Sequence, residues 1–197
     1  MDTRRPTVAA LYVAPWGPYM GMPDVEAFDE TRDARTYVGP WPVVAHPPCG
    51  PWGRLSWRCT LQDADAGPHG VAMVRRWGGV LKHPAQSKLW AACGLPRPGD
   101  LPDQWGGFAL AVEQWQWGHP AIKPTWIYVC GLAEPMPPMP VPDRDRPISE
   151  VVQTSRGPKR QGVVHRQSKR DRVLTPPAFA EWLVEVARRC VSPGAAD

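Results

Sequence analysis

The chain has 197 residues, 43% of them hydrophobic, enough for one domain with a packed core, and no apolar run approaches the ~20 residues that cross a bilayer. Its net charge of +4 is mild, so charge distribution says more about partners than total charge does. The five cysteines are odd in number and form no Cys-x-x-Cys, which disfavours a disulfide framework or a zinc ribbon and fits a reducing, cytoplasmic setting.

The 26 prolines and 18 glycines predict many loops and short elements, and the 11 tryptophans argue against general disorder. The run from Thr7 to Ala14 is continuous and apolar, as a buried strand is, and Pro15-Trp16-Gly17-Pro18 breaks it. The apolar core of this run is too short for a signal peptide. The charged stretch Asp24 to Tyr37 spaces Val25, Phe28 and Tyr37 loosely, in the manner of a short helix. Val43 to His46 reads as a second buried strand. Pro47 and Pro48 cannot donate to a sheet ladder, so pairing stops there and Cys49 is held on a stiff loop just past a strand end. In open α/β sheets that rim is where ligands bind. Most free cysteines are small buried hydrophobes, and Cys49 by itself does not escape that reading.

After Cys49, Arg54 and Arg58 flank Trp57, a mixture suited to phosphate contact and base stacking and equally to a surface loop. Pro68, Val71, Val74 and Trp77 have helical spacing, closed by Gly78-Gly79. Gly79 to Pro84 reads as a strand, Gln86 to Cys93 as a short helix, and Phe108 to Trp117 as an alternating strand. Thr125 to Cys130 is the clearest strand pattern. From Leu132 the chain turns proline-rich and aperiodic, as a linker does. Arg156 to Arg172 then carries seven Lys/Arg and one acid; such a run is usually a solvated loop, and phosphate contact is the alternative. Thr175-Pro176-Pro177 opens a final helix, with Thr175 as N-cap and Phe179, Leu183 and Val186 as its apolar stripe.

The order of these pieces is a strand ending in Pro-Pro-Cys, a helix, a strand ending in Lys-His-Pro, then Trp-Gly-His-Pro-x-x-Lys-Pro-Thr before a strong strand, a variable basic region and Leu-Thr-Pro with a helix. It resembles the catalytic half of the cytosine-C5 DNA methyltransferases, over roughly residues 40–190. The His-Pro-Pro-Cys and His-Pro-Ala signatures are also similar to those of small phage proteins. The resemblance implies an α/β fold, a reduced Rossmann-like three-layer sandwich with a mostly parallel sheet. It implies a catalytic core over residues 1–131, a recognition-like variable region over 132–174 and a packing helix over 175–197.

In that family the Pro-Pro-Cys loop carries the nucleophile, so Pro47, Pro48 and Cys49 match. Lys82 and His83 fall where the family has Glu-Asn, the pair whose acid contacts the ring nitrogen of cytosine. Gly118 and Pro120 match the Gly-x-Pro segment, with Lys123 at its first arginine and Thr125 at its second. The resemblance further implies DNA as partner, no membrane, and a base flipped out of the duplex against Trp52 or Trp57. His46 and Arg54 are the nearby cations expected to favour a thiolate, and Lys159, Arg160, Lys169 and Arg170 the expected phosphate contacts.

Two departures stand out. The turn after the first strand is Ala-Pro-Trp-Gly-Pro, not the glycine-rich loop that cradles S-adenosylmethionine, so the donor stays unknown: tight binding of that cofactor is not expected without a partner subunit, and a folate-borne one-carbon unit is the other candidate. Lys82 in place of glutamate leaves cytosine and uracil both open. Three classes of function follow: a pyrimidine-C5 one-carbon transferase acting through Cys49; an inactive DNA-binding relative serving as an anti-restriction or regulatory decoy; and a metal enzyme using His46, Cys49, Cys59 and His83. The last is disfavoured because only His46 and Cys49 are closely spaced and no second compact pair completes a site, and no resident metal is expected.

Overall fold

In a computed structural model, residues 7–53, 56–60, 63–141, 143, 145 and 173–194 are described. Six strands form one sheet: β1 (Val8–Leu11), β2 (Val25–Phe28), β3 (Val43–Ala45), β4 (Gly79–Pro84), β5 (Phe108–Glu113) and β6 (Pro124–Cys130). Their order is β2-β1-β3-β4-β6-β5. The first four run parallel, and β6 lies antiparallel between β4 and β5. The fold is therefore the α/β, mostly parallel arrangement expected, with Val43–Ala45 and Val80–Lys82 on neighbouring strands.

Helices α1 (Ala66–Trp77), α2 (Lys88–Ala92) and α3 (Pro177–Arg188) complete the layers. The strand pleat sends alternate side chains to opposite faces. Ala9, Leu11, Val43, Ala45 and Leu81 pack with Val71 and Val74 of α1. Val8, Ala10, Val44, Val80, Ile127 and Val129 pack with Phe179, Leu183 and Val186 of α3. All four residues of β1 are buried, because a parallel strand covered on both faces reads as an uninterrupted apolar run.

Four local readings are corrected. The alternating strand stops at Glu113, and Gln114–Trp117 forms a 3-10 turn. The charged stretch after Asp24 is not a short helix: Val25–Phe28 pairs with β1 in parallel, and only Ala34–Thr36 forms a 3-10 turn. Pairing with an open sheet edge outweighed a weak local helical spacing. Thr175 does not cap α3; Pro176 holds that position. The start of the proline-rich stretch is not a free linker. Trp182 Nε1 on α3 donates to the carbonyls of Pro137 and Pro138 at 3.3 and 3.2 Å, and Leu132 bridges to Cys190.

Gly79 opens β4 with φ of +123°, and a Cβ there would lie 2.0 Å from the Val43 carbonyl oxygen. No side chain fits between these two backbones. Gly79→Ala is expected to lower stability by about 3 kcal/mol or more, from left-handed strain plus lost β3–β4 pairing. Urea unfolding measures it, and a loss below about 1 kcal/mol would show that the two strands part without cost.

Candidate active site

The chain runs from β1 to β2 on one side, then returns to place β3 on the other side of β1. Strand order thus reverses between β1 and β3, and a crevice opens beyond their carboxyl ends, where α/β sheets bind ligands. Here that crevice is a cavity of about 640 Å³, a volume within the range of small-molecule sites. The β1–β2 connection forms one wall, with Trp16 and Tyr19, and His46 to Gly50 after β3 forms another. Lys82 on β4 rises from the floor. The β5–β6 connection supplies Gln114, Lys123 and Thr125, and Thr175 before α3 closes the far side.

Cys49 is exposed at this cavity. Pro47 is packed over α1, where a Cβ on Gly70 would touch its ring at 3.6 Å. Pro48 faces the cavity. The thiol is thus presented to the crevice by a loop with two fixed φ angles, as the sequence leads one to expect.

Two cations face it. Burial lowers the Lys82 ammonium below its ordinary range, and a charge on Cys49 works in the opposite direction. Burial, then the Lys82 charge, push Lys123 down to about 7, again opposed by Cys49. The Lys123 ammonium donates to the Leu174 carbonyl at 2.7 Å. No Asp or Glu is among the described residues lining the cavity. Two desolvated lysines without a carboxylate make the cavity a place for a ligand that offers acceptors or negative charge.

His46 does not play the part of a cation. Burial, reinforced by Lys82, Lys123 and His83, holds it well below its ordinary value, so its ring is neutral. Its Nε2 shares a 2.8 Å hydrogen bond with the Tyr19 hydroxyl. Arg54, the second expected cation, lies outside the described residues, as do Lys159, Arg160, Lys169 and Arg170.

His83 is separated from Lys82 by the pleat. Lys82 shares the α3 face with Val80, while His83 points to the opposite face and is fully buried away from the cavity. Burial and the Lys82 charge push its imidazole down to about 3. It is a neutral core residue and not a second donor to substrate.

Trp52 is also diverted. Its indole lies against Gly67 of α1, where a Cβ would come within 2.6 Å of Nε1, and Nε1 donates to the Ala64 carbonyl at 3.1 Å. It packs helix α1 and is not a stacking platform. Trp57 is 77% exposed, with the Arg58 guanidinium 5.5 Å from its ring, on the loop that continues from Cys49. The indole that does line the cavity is Trp16, about half exposed. Trp16, Gln114 and Thr175 were missed as site residues, although the Pro-Trp-Gly-Pro break after the first strand marks the first of them.

The region after β1 does not fit an S-adenosylmethionine cradle. Its one glycine before Pro18 is Gly17, where a Cβ would sit 3.0 Å from the Ala14 carbonyl, so it closes a tight turn. Tyr12 occupies φ of +59° and ties its hydroxyl to His69 Nδ1 at 2.8 Å. Asp29, just past β2, caps the backbone of Thr31 and Arg32 at 2.9 and 3.0 Å. Among the described residues no three His, Cys, Asp or Glu side chains come together to hold a metal ion, and no helix is long and apolar enough to cross a membrane. No family model matches the chain, and no curated protein matches it.

The two lysines make a pH prediction. A lysine whose folded pKa is depressed carries fewer protons folded than unfolded, so stability rises with pH between the two values. For Lys123 that window runs from about 7 to its ordinary 10.5. Between pH 7 and 9.5 the wild type should gain on the order of 3 kcal/mol more than Lys123→Met. Urea unfolding of both proteins at the two pH values measures this, and parallel pH slopes would mean the ammonium is solvated.

Proposed function

We propose that the chain is a pyrimidine-C5 one-carbon transferase acting on DNA, with cytosine as the base and Cys49 as the nucleophile. The observation that carries this reading is the cavity itself: an exposed cysteine on a rigid loop at the switch point, opposite two lysines with no acid among the described lining residues. C5 of an aromatic pyrimidine is a poor nucleophile. A thiolate adding to C6 removes the aromaticity and makes C5 enamine-like. The ring then carries developing negative charge on its oxygen and N3. Lys82 supplies the donor for it, in the place where the resembled family has an acid. C5 attacks the carbon of the one-carbon electrophile, whose carrier leaves with the bonding electron pair; C5 then loses its proton, and the thiolate leaves as the C5–C6 double bond re-forms. Lys123 titrates near neutrality, the range suited to accepting that proton.

DNA as the substrate rests on the basic stretch Arg156 to Arg172 and on the exposed Trp57–Arg58 pair beside the cysteine loop. The test is mass spectrometry of nucleosides from the DNA of cells expressing the wild type beside Cys49→Ala. A C5-substituted pyrimidine present only with the wild type is expected. Identical nucleosides, together with salt-sensitive DNA binding by both proteins, would favour the inactive DNA-binding relative.

A further inference from the structure

We infer that Gln114 reads an N–H of the target base through its side-chain oxygen, and that Thr125 locks it in the orientation that does so. The inference rests on the base-modifying reading of the cavity and names the feature of the base that the cavity selects.

The two ends of a glutamine amide look alike, so its orientation has to be argued from its partners. Thr125 Oγ1 donates its single proton to the Lys123 carbonyl at 3.0 Å. The same oxygen lies 2.9 Å from the Gln114 side-chain nitrogen. With its proton committed, Thr125 can only accept from Gln114, so the amide turns its NH2 to Thr125. Gln114 Oε1 is thereby left as a fully buried acceptor with no partner among the described residues. The backbone offers no slack to relieve this. Gln114 N–H donates to the Lys123 carbonyl at 3.3 Å, and His119 N–H donates to the Gln114 carbonyl at 3.1 Å.

A buried acceptor left unmet costs free energy, and native structures rarely leave one. Other buried polar atoms also lack partners here, on Trp77, His83, Trp90 and Glu113, but those residues lie away from the cavity. Gln114 lines it. Lys82 and Lys123 line it too and offer N–H donors, beside the hydroxyls of Tyr12 and Thr175. The cavity therefore presents one fixed amide acceptor beside two donors. Its complement is a heterocycle edge with an N–H next to acceptor atoms. Cytosine offers its exocyclic amine beside N3 and O2. Uracil offers its ring N–H between two oxygens. An edge without an N–H leaves Oε1 unmet and is rejected.

The experiment uses a single-stranded oligonucleotide of abasic tetrahydrofuran residues carrying one test base, with binding read by fluorescence anisotropy on the full chain. The test bases are cytosine, N4,N4-dimethylcytosine, uracil and N3-methyluracil. The wild type should bind one parent base at least about tenfold more tightly than its blocked partner. The parent that shows the difference identifies the source of the N–H. Gln114→Met keeps the side-chain length and removes the acceptor, and should bring parent and blocked base within about twofold. Thr125→Val frees the amide to turn, and should reduce the ratio. Parent and blocked bases that bind the wild type alike, yet more tightly than the plain abasic oligonucleotide, overturn the inference about Gln114 and leave the base-modifying reading standing. No preference for any test base over the plain abasic oligonucleotide overturns both.

Discussion

Cys49→Ser is expected to abolish covalent trapping on DNA containing 5-fluorocytosine and to lower product formation about a thousandfold or more. The fluorine replaces the C5 proton, so once C5 has taken the one-carbon group the thiol cannot be expelled and the enzyme stays attached. A serine hydroxyl at this position lacks the accessible anionic form of a thiol, and the two cations that face it do not make up the difference. The swap should leave folding nearly intact, because Cys49 is exposed and contributes no core packing. Denaturing gel electrophoresis reads the adduct, and thermal melting reads the fold. Trapping that persists in Cys49→Ser would remove this cysteine from the chemistry. Cys59 and Cys93 are the other described thiols that are not fully buried, and neither lines the cavity, so they serve as internal controls.

Lys82→Met should lower the rate of product formation about 10²–10³-fold, the size of effect seen when one donor to a developing oxyanion is lost. Methionine preserves the length and most of the apolar stem. It also removes an ammonium that burial penalises, so stability should stay level or rise by about 1 kcal/mol. Affinity for DNA should change little, because Lys82 is a single buried cation lining the cavity. The signature is a fall in kcat with KM and thermal midpoint nearly unchanged. A variant with full activity would show that Lys82 only fills space. Lys82→Glu is the companion. An acid there restores the residue type of the resembled family and should retain activity on cytosine, whose N3 it can protonate. On a uracil ring, whose oxygens need a cation, it should be inactive.

The sequence was most informative where local patterns carry long-range meaning. Uninterrupted apolar runs identified β1, β3 and β6 as buried strands, since both faces of those strands are covered. Glycine and proline punctuation placed the ends of α1, β4 and α3 to within two residues or so, except that Thr175 lost the cap to its neighbour. Pro47 and Pro48 placed Cys49 just past a strand end, and the sheet does put that end at a rim crevice.

What the sequence could not decide is which residues meet across that rim. Val25–Phe28 became a strand because β1 had an open edge, which no local spacing records. Lys82 and His83 are adjacent in the chain, yet the pleat gives one to the cavity and the other to the core. His46 and Lys123 carry residue types that suggest cations; burial neutralises the first and brings the second near neutrality. Trp52 and Trp16 are alike in a sequence, and only the closeness of Gly67 commits the first to packing while the second lines the cavity. Gln114 has no motif to mark it. It reaches the site because β6 reverses direction between β4 and β5, carrying the β5–β6 connection to the carboxyl ends of the parallel strands. Periodicity and punctuation are properties of neighbours in the chain, whereas desolvation and convergence depend on strand order and on what covers each face, and those were settled only by the assembled sheet.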